Sequence, residues 1–159
     1  MVDLTESVSA TYPAVAGSLP VARRAVAELA GAAGATGDQI DAIRLATSEA
    51  LTNVILNAYR DGQGPIHVTA AVAGGELWVL VADDGDGLRP RGDRSGLGLG
   101  LALIAQASDE LTIVRRSHGG TELRMRFRLG TADDPAEAHS RGSAPSAASP
   151  ASSIFSTTR

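Results

Sequence analysis

Apolar and polar positions along this chain recur with two different periods, and the switches between them mark out the elements. Residues 7–14 (Ser-Val-Ser-Ala-Thr-Tyr-Pro-Ala) alternate weakly and predict an edge strand ended by Pro13. Ser18 is a plausible N-cap with Pro20 in the first turn. From there helical spacing runs to about Ala33, with Val21, Ala25, Val26 and Leu29 inward. Gly31, Gly34 and Gly37 break it, and Asp38 caps a long amphipathic helix that closes at Asp61-Gly62-Gln63-Gly64-Pro65.

The period then drops to two. Ile66, Val68, Ala70 and Val72 alternate with His67, Thr69 and Ala71, and Gly74-Gly75 turns the chain. Glu76 to Ala82 is more continuously apolar, as a central strand is, and runs into Asp83-Asp84-Gly85-Asp86-Gly87. After a short polar stretch, Gly96-Leu97-Gly98-Leu99-Gly100 leads into a helix to about Ala107. Leu111 to Arg116 reads as a strand and His118-Gly119-Gly120 as its turn. Thr121 to Leu129 alternates over its whole length, with Leu123, Met125, Phe127 and Leu129 inward. The order strand, two helices, hairpin, helix, hairpin predicts an α+β two-layer sandwich, helices on one face of a mostly antiparallel sheet. Beyond Gly130 the composition turns to Ala, Ser, Pro, Thr and Gly, too little apolar surface to offset ordering entropy. The expected division is a folded domain over 1–130 and a disordered tail over 131–159.

Composition narrows the function. With 159 residues and 43% hydrophobic content the chain can bury one core. A net charge of −4 does not suit non-specific nucleic-acid binding, and no apolar run reaches membrane-spanning length. With no cysteine there is neither a disulfide nor a thiolate metal site. No leader segment is read at the N-terminus, so a soluble cytoplasmic protein is expected. All 14 basic residues are arginine. A Walker-A loop and a eukaryotic-type protein kinase both place a lysine on nucleotide phosphates, so ATP, if handled, is handled by another route.

Three motifs carry the chemistry. In the long helix Glu49, Asn53 and Asn57 stand at i, i+4, i+8 and form one polar ridge, each about 6 Å along the axis from the last. Around them Ile43, Ala46, Ala50, Leu51, Val54 and Ala58 are set to be buried. A carboxylate and two carboxamides on such a face are costly unless something binds there; the ordinary alternative is a capped polar seam between helix and sheet. A neutral carboxamide such as Asn53 suits Mg²⁺ whose other ligands are phosphate and water. A carboxylate one turn earlier, Glu49, can orient or deprotonate a hydroxyl. Asp83-x-Gly85-x-Gly87, at the end of a buried strand, can accept a hydrogen bond from an exocyclic amine while its glycines let a flat ring approach; otherwise it is an acidic turn. It is not an EF-hand loop, lacking the alternating oxygen ligands and the final glutamate. Gly96-x-Gly98-x-Gly100 ahead of an apolar helix offers backbone N–H groups to phosphate, or is a plain glycine-rich turn.

The series Glu49-x3-Asn53, Asp83-x-Gly85-x-Gly87, Gly96-x-Gly98-x-Gly100 and Gly120-Thr121 resembles the GHKL ATP-binding fold. That superfamily includes histidine kinases, type II topoisomerase ATPase subunits and a heat-shock chaperone ATPase. Ser48-Glu49-Ala50-Leu51-Thr52-Asn53, with Tyr12-Pro13 ahead of a helix carrying Ala22-Arg23, is most similar to the anti-sigma factor serine kinases. The resemblance covers about residues 8–129. It implies that Glu49 is the general base, Asn53 the Mg²⁺ ligand and Asp83 the partner of the adenine amino group. By the same resemblance Gly85 and Gly87 lie beside the ring, Thr121 supports the aspartate or a bridging water, and Asn57 belongs to the nucleotide site where members often carry histidine. Gly96, Gly98 and Gly100 line the phosphates as part of an ATP lid, and Arg23 faces a partner. Arg89, Arg91 and Arg94 in the short lid either reach a γ-phosphate or form a solvated charged loop.

The function so implied is a cytoplasmic switch, a homodimer that binds ATP·Mg²⁺, sequesters a sigma factor and phosphorylates a Ser/Thr of an anti-sigma factor antagonist. The competing expectation is a non-catalytic, ATP-gated binding module of the same fold. A histidine kinase core fits less well, since none of His67, His118 and His139 lies on a phosphoacceptor helix. A topoisomerase or mismatch-repair ATPase would need a transducer domain for which the chain has no room.

Overall fold

Eight elements follow one another in the order the periodicities predict: β1 (Leu4–Pro13), α1 (Ser18–Ala32), α2 (Gly37–Asn57), β2 (Pro65–Ala73), β3 (Glu76–Asp83), α3 (Gly96–Ala107), β4 (Glu110–Arg115) and β5 (Thr121–Arg128). The computed structural model describes residues 4–86 and 96–130. Gly87, the lid arginines Arg89, Arg91 and Arg94, and the tail over 131–159 lie outside the described residues.

The strands form one five-stranded sheet in the order β1-β2-β3-β5-β4, every pairing antiparallel. β2 and β3 are joined by the tight Gly74-Gly75 turn, which pairs Ala73 with Glu76. β3 does not pair with β4, the strand that follows it. The chain crosses through α3, and β5 returns between β3 and β4. That crossover sets Val81 opposite Leu123 and Ala82 opposite Glu122, so the exits of β3 and the entry of β5 meet at one end of the sheet.

The core lies between the sheet and the helices. Ile43, Leu51, Ile66, Leu77, Ile104 and Met125 are fully buried, each stabilising the fold by about 1.5–3 kcal/mol through burial. Ala22, Ala30, Ala46 and Ala50 are also sealed, and their small side chains let the helices lie close. β5 follows its alternation: Leu123, Met125 and Phe127 are buried, Arg124 and Arg128 exposed. Trp78 stays on the outer face of the sheet, with the Arg126 guanidinium 5.9 Å from its ring centroid. Arg126 also pairs with Glu76 and Glu110 and so ties β3, β5 and β4 together on that face. Among the described residues no helix is long and apolar enough to cross a membrane.

Four local expectations are corrected. Val21 is 57% exposed, not inward. The buried stripe of α1 runs through Ser18, Ala22, Val26 and Leu29, because the Ser18 hydroxyl donates to Pro13 O at 2.7 Å and fixes the rotation of the helix. Ser18 therefore does not cap α1; Gly17 stands at the N-cap with no side-chain bond. Thr36, not Asp38, caps α2 through a capping box, Gln39 N–H donating to Thr36 Oγ1 and Thr36 N–H to Gln39 Oε1. Asp38 instead puts its charge in the first turn, where the helix dipole favours it. Finally, Gly96, Gly98 and Gly100 are not ahead of α3 but inside its first turns.

Candidate functional site

The polar ridge of α2 faces the end of the sheet where β3 exits and β5 enters. Asn53, Val54 and Asn57 from α2 and Ala58 at its C-cap, with Val81, Asp83, Thr121 and Leu123 from the sheet, line a narrow cleft. The apolar neighbours predicted around the ridge are all buried, which fixes its rotation: Ile43, Ala46, Ala50, Leu51, Val54 and Ala58 hold α2 so that Asn53 and Asn57 point into this gap. Asn53 is buried, and its Nδ2 finds no hydrogen-bond partner among the described residues. A buried donor in that state costs about 1–3 kcal/mol, so the carboxamide is poised for a ligand. Thr47 Oγ1 likewise has no partner among the described residues, but does not line the cleft.

At the mouth of the cleft α3 crosses the ridge. A side chain at Gly100 would begin 3.1 Å from Glu49 Oε2 and 3.3 Å from Asn53 Oδ1. Glycine there lets the first turns of α3, with the positive end of the helix dipole, stand against the carboxylate and the carboxamide. Glu49 makes no hydrogen bond or ion pair among the described residues. Gly98 faces open space.

At the floor sits Asp83, buried at the end of β3. Gly85 N–H donates to its Oδ1 at 2.9 Å, and the Thr121 N–H donates to the carboxylate as well. Burial nevertheless pushes the Asp83 carboxyl above the usual carboxylate range, outweighing those two donors. Gly85 is pressed on Ala58: a Cβ there would meet Ala58 O at 2.0 Å, and the next residue, Asp86, donates its N–H to that same oxygen. Gly120, with φ +87°, lies against the Asp83 carbonyl, where a Cβ would fall 1.9 Å from the oxygen. The β4–β5 turn thus supports the aspartate from behind.

The structure brings Asn53, Asn57, Asp83 and Thr121 together around one cleft, with Glu49 and Gly100 at its mouth and Gly85 packed beside it. Arg23 is elsewhere. It lies on α1, in a groove between α1 and α2 shared with Arg24 and Arg44, with its guanidinium 3.5 Å from Ser48 Oγ. Sequence reasoning missed a second set of residues, those that hold the turn after Asp83. Tyr59 Oη accepts the Asp84 N–H at 2.9 Å and donates to Pro65 O at 2.6 Å. His67 Nε2 lies 2.8 Å from Asp84 Oδ2, and Arg116 pairs with Asp84 Oδ1. The bond to His67 first, and then Arg116, draw the Asp84 carboxyl below its ordinary value. Nothing in the spacing of these residues points to one another.

A family model described as the histidine kinase-like ATPase domain matches residues 12–127. An anti-sigma F factor of Clostridium acetobutylicum is 28% identical over 126 residues, spanning 71% of this chain and 87% of that protein. A serine-protein kinase RsbW of Bacillus thuringiensis is 28% identical over 142 residues, 80% of this chain and 88% of that protein. Among solved structures, the RsbU and RsbW domains of Rv1364c from Mycobacterium tuberculosis align with a TM-score of 0.63 at 28% identity, over 79% of this chain and 33% of that longer one.

Proposed function

The chain belongs to the histidine kinase-like ATPase family, and from that premise we propose that it is an anti-sigma factor kinase: it binds ATP with Mg²⁺, holds a sigma factor, and transfers phosphate to a Ser/Thr of an antagonist protein. The reading includes a homodimer working in the cytoplasm. The observation that carries it is the Glu49 carboxylate, without a partner among the described residues, at the mouth of a cleft whose floor is a buried aspartate. Relatives named as an anti-sigma F factor and a serine-protein kinase support the choice of partner and reaction.

Asp83 accepts the exocyclic amine of adenine, a donor that offsets the cost of its buried charge. Val81, Leu123 and Ala58 pack on the ring, with Gly85 alongside and Thr121 fixing the carboxylate. The phosphates extend towards the first turns of α3, past Gly98 and Gly100. The acceptor hydroxyl approaches Glu49, which takes its proton as the oxygen attacks the γ-phosphorus. The bond from that phosphorus to the bridging β–γ oxygen breaks, and ADP leaves with the charge on its β-phosphate.

The residues fit a divalent cation. Among the described residues no group of three or more His, Cys, Asp or Glu forms a metal-sized cluster, so most ligands would come from the phosphates and water. Asn53, buried and with an amide that a half-turn presents as an oxygen, would hold the ion. When bound, Mg²⁺ supplies charge neutralisation at the β- and γ-phosphates.

Arg23 suits a partner contact. Arg24 pairs with Glu28 and Arg44 with Asp41, whereas Arg23 has no carboxylate partner among the described residues.

Transfer of radiolabelled γ-phosphate to candidate antagonist proteins tests the reading. Label should appear on a serine or threonine with wild type. Glu49→Ala should bind ATP with comparable affinity and transfer about 10²–10⁴-fold more slowly. Loss of binding together with transfer would make Glu49 structural. ATP binding with no label on any candidate would favour the ATP-gated module.

A further inference from the structure

The main chain of Asp83 and Asp84 is gripped from outside the cleft by residues that do not line it. Arg116 is the central one. Its guanidinium donates to the Asp83 carbonyl oxygen at 2.9 Å and to Asp84 Oδ1. Arg116 is itself locked into the β4–β5 turn, its N–H donating to Gly120 O at 3.1 Å and its carbonyl accepting from Gly119 N–H at 3.2 Å. On the far side His67 Nε2 holds Asp84 Oδ2, and Thr11 Oγ1 lies 3.1 Å from His67 Nδ1. One carboxylate is therefore held at both oxygens, and the carbonyl before it is held by the same guanidinium.

That arrangement is more than is needed to close a turn. Asp83 Oδ1 is already bonded to Gly85 N–H, which makes the turn. What the guanidinium adds is a fixed position for the Asp83 peptide, and hence for the direction in which its carboxylate enters the cleft. Both bonds come from one nitrogen, Nη1, whose two N–H groups diverge at a fixed angle in the plane of the guanidinium, so the pair constrains angle as well as distance. We propose that Arg116 is a positioning residue for base recognition: by clamping the Asp83–Asp84 peptide it aims the Asp83 carboxylate at the amino group of a 6-aminopurine, and so sets the preference of the cleft for adenine. This rests on the reading of the cleft as an ATP site.

The test compares dissociation constants for ATP and for purine riboside triphosphate, which lacks the 6-amino group, on the full chain. Wild type should prefer ATP, and Asp83→Asn should lose that preference. Arg116→Met should bind ATP about tenfold more weakly while holding the amine-free nucleotide nearly as wild type does. Arg116→Lys should recover part of the preference. If Arg116→Met does not fold, Asp84→Asn takes its place, since it removes the charge that anchors the guanidinium, and the same drop in preference is expected. Equal weakening for both nucleotides would make Arg116 a merely structural residue and overturn the proposal. An unchanged preference in the Arg116 and Asp84 variants, with loss in Asp83→Asn, would overturn the positioning role and leave the cleft reading standing. Preference retained in Asp83→Asn would overturn both.

Discussion

Asp83 is held in the fold at a cost, and the cost has a sign. Burial raises its pKa above that of the unfolded chain, so the folded state holds the proton more tightly. Its contribution to stability is most favourable below the ordinary carboxylate range, about 4, and is lost as pH rises through the folded pKa. Asp83→Asn should therefore melt above wild type at pH 8 without nucleotide, the gap closing as the pH is lowered, while ATP affinity falls. A lower melting temperature at pH 8 would show that the two backbone donors outweigh burial. Asp84, one residue on, has the opposite sign: its lowered pKa contributes stability above the ordinary carboxylate range that fades as pH falls through the depressed value. At this scale Glu49, Asn53 and Asp83 stand out in the sequence, because each is an odd polar residue in or beside a stretch otherwise set for burial. Thr121 comes from the family resemblance and not from its spacing. Arg116, His67 and Tyr59 do not stand out. Arg116 is more than 30 residues from both oxygens it holds, and the outer face of a sheet shows the same polar alternation whether or not its residues meet.

Between elements, the tightest joint is the β4–β5 turn on the Asp83 carbonyl. Gly120→Ala would combine a positive φ with a Cβ 1.9 Å from a backbone oxygen. Gly34 has the same φ of +87° but open space around it. Gly34→Ala should cost about 1 kcal/mol from backbone strain. Gly120→Ala should cost at least about 2 kcal/mol more, as something in the backbone must move. Urea melts of the two variants measure the difference, and equal losses would mean that the turn is not pressed on the strand. Strands and the ridge of α2 were readable from period alone. The start of α3 was not, since three glycines, each about 1 kcal/mol less favourable than alanine in a helix, argue for a loop. Packing overrides that propensity: Ile104 is fully buried and Leu101 packs on the core.

At the scale of the whole molecule, Leu129 N–H donates to Gly75 O at 2.8 Å and fastens the end of β5 to the β2–β3 turn. Among the described residues Leu129 is also the one nearest the C-terminus that packs on the core. A chain ending at Gly130 should keep its melting temperature within about 2 °C and bind ATP as the full chain does. A large drop would show that residues 131–159 contribute to the folded domain.

The strand order has a consequence for how the protein comes into being. β3 carries Asp83, yet its second neighbour is β5, the last strand among the described residues. During synthesis the N-terminal helices and the β2–β3 hairpin emerge first, and the central strand waits with one edge bare until β5 arrives. Thr121 closes the floor of the cleft only then. Until then a nascent chain carries Asp83 but lacks the strand that completes the cleft, so the cleft forms in one step when β5 docks rather than growing by degrees.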